Sequence, residues 1–243
     1  KNYFKNLIFR FLFKIPKKII VNSFDFKKEI DKKFNIKSKL IYNPLNIDEI
    51  KRKSSSKLEL NFYKNTKIKA INIARFTDQK DHMTLLKSIS NVLKKKINIK
   101  ILILGYGPNK KMMINFIKKN KLSKNIRIIN FQKNPYKFIK KSNLFILSSL
   151  YEGLPNVLLE AISLKKFIIS SNCPTGPREI LNSGEFGLLF KPGDEKSLTN
   201  KIIDFNNKTK KYNKITFKAY KSLSRFDFNK NCEKYLKVIN EFI

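Results

Sequence analysis

The chain has 243 residues, 42% of them apolar and 29% charged, with 21 Phe; that is enough to bury a core and excludes a chain disordered throughout. A formal net charge of +35 points toward nucleic acid or an anionic membrane, yet only six of the 53 basic residues are Arg, the better phosphate reader. The excess of Lys, Asn and Ile reads as AT-rich codon bias, and no nucleic-acid partner is expected. Cys173 and Cys232 show no pairing signature and a single His cannot complete a zinc set with them, so a reducing compartment and no metal are expected. No stretch approaches the roughly 18 apolar residues of a spanning helix, and the N-terminus lacks a cleavable signal pattern. A cytoplasmic location is expected.

In chain order, Tyr3 to Ile20 mixes Phe, Leu and Ile with Lys and Arg. It reads as a helix packed within a larger domain, with a basic amphipathic helix on an anionic membrane surface as the alternative. A strand at Ile19 to Asn22, a helix near Phe26 to Phe34 and a strand at Lys39 to Tyr42 follow. These are too few elements for a domain, and the chain begins with Lys rather than Met, so residues 1–66 are expected to be the end of an N-terminal domain. Lys51 to Lys57, with three consecutive serines, reads as a linker.

From Lys67 onward, short β-rich runs alternate with segments of helical period. Strands are expected at Ile68 to Ala74, Ile99 to Leu104, Ile126 to Ile129, Leu144 to Leu147, Phe167 to Ser170 and Gly187 to Phe190. Helices are expected at His82 to Lys95, Asn109 to Lys119, Asn156 to Leu164, Gly176 to Leu181 and Glu195 to about Phe205. This alternation is the form of a doubly wound α/β domain with a parallel sheet, here spanning 67–225. Residues 226–243 have helical spacing at Phe228, Cys232, Tyr235, Leu236, Ile239 and Phe242, an apolar face that needs a partner.

Four segments at strand ends carry chemistry. The first, SSLYEGLPNVLLEA from Ser148 to Ala161, leaves a strand and opens a helix. Pro155 and Asn156 suit its first positions and Gly153 suits a sharp turn, so the open amides around residues 153–157 are expected to face a diphosphate-like anion. Glu152 and Glu160 sit at different depths and suit vicinal diols, but taken alone they read rather as solvated helix-end acids. The second segment, Ile73 to His82, places Arg75 and Lys80 after a strand, where two cations either neutralise a diphosphate or serve as surface charge. His82, next to Asp81, reads as a surface or capping residue rather than a general base.

The third, Leu104 to Pro108, has two glycines, Gly105 and Gly107, that let a nucleotide approach the backbone, but lacks the third glycine of a dinucleotide fingerprint. The last, Ser171 to Ile180, is rich in turn formers before a helix, and its Cys173 reads as a buried or loop thiol.

Glu152 to Ala161 resembles the hallmark of the retaining glycosyltransferases of family 4: Glu, seven residues, Glu, in the setting E-G-L-P-N-x-x-L-E-A. That family has the GT-B fold, two Rossmann-like domains with the nucleotide-sugar bound in the C-terminal one. The resemblance covers nearly the whole chain. It implies a GT-B C-terminal domain at 67–225, a partial second Rossmann-like domain before it, and a final helix crossing back to that domain. It implies that Arg75 and Lys80 hold the donor diphosphate, Glu152 bonds sugar hydroxyls and Glu160 holds the ribose. Gly153, Leu154, Pro155, Asn156 and Val157 would meet phosphate and sugar through their backbone. Gly105, Gly107, Phe131, Gln132 and Lys133 would neighbour the base. One departure stands at Ala74, where the family usually has Gly before the Arg.

The expectation is transfer of a hexosyl or N-acetylhexosaminyl unit from a nucleoside-diphosphate sugar to a glycan or lipid-linked acceptor hydroxyl, with retention and without metal or cofactor. The segment from Cys173 to Leu181 resembles the C-P-x-G-P-x-E-I-L loop of members that use UDP-sugars, which favours a UDP-sugar donor. The setting would be polysaccharide, lipopolysaccharide or glycan synthesis, with the protein peripheral on the inner face of a membrane as one location. The chain by itself is expected to hold the donor without completing the reaction. A nucleotide-sugar-binding module without activity is the alternative; a basic nucleic-acid-binding protein is the weaker one, since no RNA- or DNA-reading motif is present.

Overall fold

The computed structural model describes residues 8–9, 11–13 and 15–242. The chain opens with two short parallel strands, β1 (Ile20–Val21) and β2 (Lys39–Leu40), joined through helix α1 (Phe24–Phe34). Helix α2 (Ile47–Ser54) leads into the main domain. There the order is β3 (Ile68–Ile73), α3 (His82–Lys94), β4 (Ile99–Gly105), α4 (Lys110–Lys119), β5 (Ile126–Asn130), α5 (Tyr136–Lys141), β6 (Leu144–Leu147), α6 (Asn156–Ser163), β7 (Phe167–Ser171), α7 (Pro177–Ile180), β8 (Leu188–Phe190), α8 (Glu195–Asn207) and α9 (Thr209–Lys221). Helix α10 (Phe228–Ile239) closes the chain.

Period-2 alternation explains why the sheet is covered on both faces. Ile99, Ile101 and Ile103 of β4 join one core with Leu85, Leu86 and Ile89 of α3. Leu102 and Leu104, between them, join the opposite core with Leu158, Leu159 and Ile162 of α6. In β6, Leu144 and Ile146 face the first core, Phe145 and Leu147 the second.

All six strands of the main sheet run parallel, in the order β5-β4-β3-β6-β7-β8. The chain therefore works outward from β3 to β5, then jumps back so that β6 lies against β3, with Ala70 opposite Leu144 and Ile71 opposite Phe145. The space beyond the carboxyl ends of β3 and β6 is a topological switch point, where doubly wound sheets bind ligands.

Two sequence readings are corrected. Lys51 to Ser54, read as linker, is the last turn of α2: Asn46 Oδ1 accepts from the Glu49 amide, acids at Asp48 and Glu49 and bases at Lys51 to Lys53 suit the helix dipole, and Ile50 is buried. Its serines end the helix, Ser54 Oγ and Ser55 Oγ both donating to Lys51 O. Helices α2, α5 and α9 are additional to the expected elements. At Gly153 the backbone bends just before α6, as expected, without a positive φ, and a Cβ there would meet nothing within 4 Å.

The helix expected over Tyr3 to Ile20 lies partly outside the described residues. Of those described, Phe13 packs on Phe34 at a ring separation of 4.8 Å, while Phe11 and Ile15 are exposed. Among the described residues no helix is long and apolar enough to cross a membrane.

The C-terminal segment returns to the first residues. The Leu45 amide donates to Phe226 O at 2.8 Å, Tyr235 Oη lies 3.4 Å from Ile41 O, and Lys18 pairs with Glu241 at 3.0 Å.

Candidate functional site

Parallel strands place the loops after β3, β4, β5, β6 and β7 at one edge, and the loops after β3 and β6 meet because those strands are neighbours. Four hydrogen bonds hold the pair together. The Leu150 amide donates to Gln79 O (2.8 Å), Gln79 Nε2 to Tyr151 O (2.9 Å), Ser148 Oγ to Lys80 O (2.8 Å) and Lys80 Nζ to Glu152 Oε1 (2.7 Å). The last joins two of the expected site residues directly.

The Lys80 and Glu152 side chains are only 14% and 8% exposed, which takes this ion pair out of the surface class where such pairs contribute little. Ser149 Oγ donates to the same Glu152 oxygen at 2.6 Å. A nearly dry carboxylate is thus held by one cation and one hydroxyl, with further acceptor capacity on its second oxygen.

Helix α6 starts at Asn156 with Pro155 in the capping position and no side-chain cap. The open amides of such a first turn, together with the helix dipole, favour an anion. Pro155 has no N–H to offer, and both it and Leu154 are buried, Leu154 in the second core. Val157 is partly buried against that core, while Asn156 and Gly153 are exposed.

Glu160 lies one turn inside α6. Burial pushes its carboxyl above the ordinary range, and Tyr136, whose Oη is 3.5 Å from Oε1, opposes that shift. The Tyr136 phenol is itself pushed up to about 12, chiefly by burial and then by the charge of Glu160. A raised carboxylate pKa is what results when few donors meet a buried charge.

Beside these groups opens a cavity of about 330 Å³ lined by Ile73, Ala74, Arg75, Gly105, Tyr106, Phe131 and Gln132, with Leu104 and Pro135 behind them. Tyr106 and Phe131 stand edge to face with centroids 5.9 Å apart, and both are exposed. Gly105 lies so close to the β3 loop that a Cβ would stand 1.9 Å from Ala74 O; a Cβ on Gly107 would meet Phe76 O at 2.5 Å. These glycines let loop pack on loop. Arg75 is exposed at the rim and makes no salt bridge among the described residues; Lys133 is exposed and lies outside the cavity lining.

His82, read as a surface or capping residue, is buried at 2% exposure, and the cap of α3 is Asp81, whose Oδ1 accepts from the Thr84 amide. Its ring stands edge-on to Phe76 and neither nitrogen has a hydrogen-bond partner, so burial first, and Lys80 second, push its pKa down to about 4. A neutral, enclosed imidazole has no path to a substrate. Cys173 is buried, and burial pushes its thiol up. Among the described residues no group of His, Cys, Asp and Glu is arranged to hold a metal ion.

Two residues of the site were in the quoted segments but not singled out: Ser149, three residues before Glu152, and Tyr106, between the two glycines. Tyr136 carries no sequence signal, because its helix is only six residues long and half Lys.

A doubly wound sheet with an acid-and-base crevice at its switch point defines a ligand-binding α/β domain of the Rossmann class. The chain belongs to the family described as glycosyl transferases group 1, whose model matches residues 53–222. A glycosyltransferase of Methanocaldococcus jannaschii is 38% identical over 205 residues, 76% of this chain and 50% of the relative. The N-acetylgalactosamine-N,N'-diacetylbacillosaminyl-diphospho-undecaprenol 4-alpha-N-acetylgalactosaminyltransferase of Campylobacter jejuni is 29% identical over 206 residues, 82% of this chain and 54% of the relative. The chain spans about half the length of these curated relatives. Among solved structures, HepE of Anabaena in complex with UDP superposes with a TM-score of 0.80 at 17% identity, over 94% of this chain and 65% of that one. The fold class is the one expected.

Proposed function

We propose that this chain is the donor-binding part of a glycosyltransferase that moves a hexosyl or N-acetylhexosaminyl unit from a nucleoside-diphosphate sugar, UDP-linked by preference, to a hydroxyl of a glycan or lipid-linked acceptor. The observation that carries the reading is the Lys80–Glu152 pair, 2.7 Å apart where the β3 and β6 loops meet, beside the Arg75-rimmed cavity.

The diphosphate would lie at the uncapped start of α6, with Lys80 and Arg75 taking up the charge that grows on it as the glycosidic bond breaks. Lys80 would exchange its carboxylate partner for phosphate, freeing Glu152 to bond sugar hydroxyls. Glu160, deeper and facing Tyr136, would bond the ribose hydroxyls. The base would enter the cavity between the Gly105 to Gly107 and Phe131 to Gln132 loops, where Tyr106 and Phe131 offer aromatic surface. Two cations and open amides would take up the leaving group's charge without a metal, and retention of anomeric configuration is proposed from the resemblance to the family 4 enzymes alone.

Support for UDP comes from a neighbour that crystallised with it, HepE, and for glycan assembly from the activity of the Campylobacter relative. Polysaccharide or lipid-linked glycan synthesis on the inner face of a membrane is the setting proposed. Calorimetric titration of the chain with UDP, GDP and ADP tests the reading: saturable heat with UDP is expected, and the lack of binding to all three at millimolar ligand overturns it.

A further inference from the structure

The loop from Asn172 to Leu181 has no assigned part in holding the donor, yet its Glu179 is bound from a distant part of the chain. The carboxylate accepts from Ser23 Oγ at 2.8 Å, from the Phe24 amide at 3.0 and 2.9 Å to its two oxygens, from the Asp25 amide at 3.4 Å and from Tyr42 Oη at 2.6 Å. Ser23 is buried and caps α1, its Oγ accepting from the Phe26 amide at 3.3 Å. A carboxylate at a helix start satisfies open amides and suits the dipole. Here it comes from 155 residues away along the chain. Burial and the neighbouring carboxylate raise the Tyr42 phenol, which keeps it a donor.

The other end of the same loop is tied to the donor loop. Thr175 Oγ1 donates to Glu152 O, and the Glu152 amide to Pro174 O at 3.4 Å. Gly176, at φ +79°, sits where a Cβ would stand 1.8 Å from Gly153 O, so only glycine permits that contact. A second link runs alongside: Asn22 Nδ2 donates to Asn43 Oδ1 (3.1 Å), and Asn43 Nδ2 to Asn156 Oδ1 (2.7 Å), at the first residue of α6. Arg225, on the returning segment, donates to the carbonyls of Glu179 and Ile180 at 3.4 and 3.3 Å.

We infer that Glu179 is a positioning residue that clasps the segment 19–43 to the donor domain, and that the 172–180 loop, with the Asn43–Asn156 bond, sets how that segment stands over the donor loop. A carboxylate offers acceptors only, and all the groups that face it donate. An amide in its place turns an N–H₂ toward N–H and O–H groups and loses the charge. The clasp stands on the contacts alone; its coupling to the donor rests on the donor-site reading.

Hydrogen exchange on the whole chain tests both halves, using wild type, Glu179→Gln and Tyr42→Phe, with and without UDP. Without ligand, Glu179→Gln is expected to speed exchange of the Phe24, Asp25 and Phe26 amides by about tenfold or more, β4 and β6 keeping their rates, and Tyr42→Phe to give a smaller rise. Rates at those amides within about twofold of wild type in both variants overturn the clasp. UDP is expected to slow the same amides in wild type and not in Glu179→Gln, whose UDP affinity stays within about threefold of wild type. Equal slowing in both proteins overturns the coupling. A wild type that binds no UDP sinks the donor reading, while the ligand-free comparison still judges the clasp.

Discussion

Replacing Glu152 by Gln perturbs the crevice at the point where its charges meet. In the ligand-free chain, Lys80 Nζ and Ser149 Oγ both donate to Glu152 Oε1, at 2.7 and 2.6 Å, and the two charged side chains are 14% and 8% exposed. Gln keeps the shape and an acceptor for Ser149 but leaves Lys80 without a counter-charge in a nearly dry place. Removing one partner of a buried pair costs about 3–5 kcal/mol, and the residual exposure of Lys80 puts this case near the lower end. At about 2–4 °C per kcal/mol for a chain of this size, the unfolding midpoint should fall by roughly 6–12 °C. UDP returns negative charge to Lys80, so it should stabilise the variant more than the wild type and bind it at least as tightly. A UDP-sugar, whose hydroxyls meet a neutral amide in place of a charged carboxylate, should keep less of its advantage over UDP. Thermal unfolding by circular dichroism with and without UDP, and calorimetric titrations with UDP and a UDP-sugar, measure each part. A midpoint within about 1 °C of wild type, or equal losses of UDP and UDP-sugar affinity, refutes the reasoning.

Glu160→Ala removes a carboxylate assigned to two ribose hydroxyls and should weaken UDP about 10–100-fold while leaving uridine-free sugar binding unchanged, as read by titration calorimetry. His82 has a folded pKa of about 4. Its contribution to stability is therefore complete above its unfolded value near 6.5 and is lost as pH falls toward 4, by on the order of 3 kcal/mol in total. His82→Leu should flatten that part of the stability profile in denaturant titrations at a series of pH values, and an unchanged slope between the two pH limits would contradict the burial argument. Gly105→Ala forces a Cβ to within 1.9 Å of Ala74 O and should lower stability by about 2 kcal/mol or more while distorting the cavity, seen as a drop in both melting temperature and UDP affinity.

The alternation of β-rich runs and helical segments made the main sheet legible, since strands buried on both faces read as apolar runs such as Ile99 to Leu104. Helices α2, α5 and α9 are not, because Lys recurs through each of them, their apolar faces are short, and their burial depends on partners far along the chain: Ile50 and Ala219 belong to one core with Leu158. The serines after Lys53 looked like linker for the same reason. His82 was misplaced because a lone histidine beside an acid looks solvated, whereas Phe76 and the rest of the first core enclose it.

What the sequence determined by itself was local: which strand ends carry Arg75, Lys80 and Glu152, and that a helix opening at Asn156 carries Glu160. These follow from short-range periodicity and turn chemistry, which need no knowledge of neighbours. Only the tertiary structure decided that the strand order doubles back after β5, laying β6 parallel beside β3 and closing Lys80 onto Glu152 across 72 residues of chain. The same is true of Glu179, which the sequence places only in a turn-rich loop before a helix, and to which the fold brings the open amides of α1. Strand order and the docking of the first and last segments are set by which buried faces and unsatisfied donors find each other, and that is a property of the folded whole.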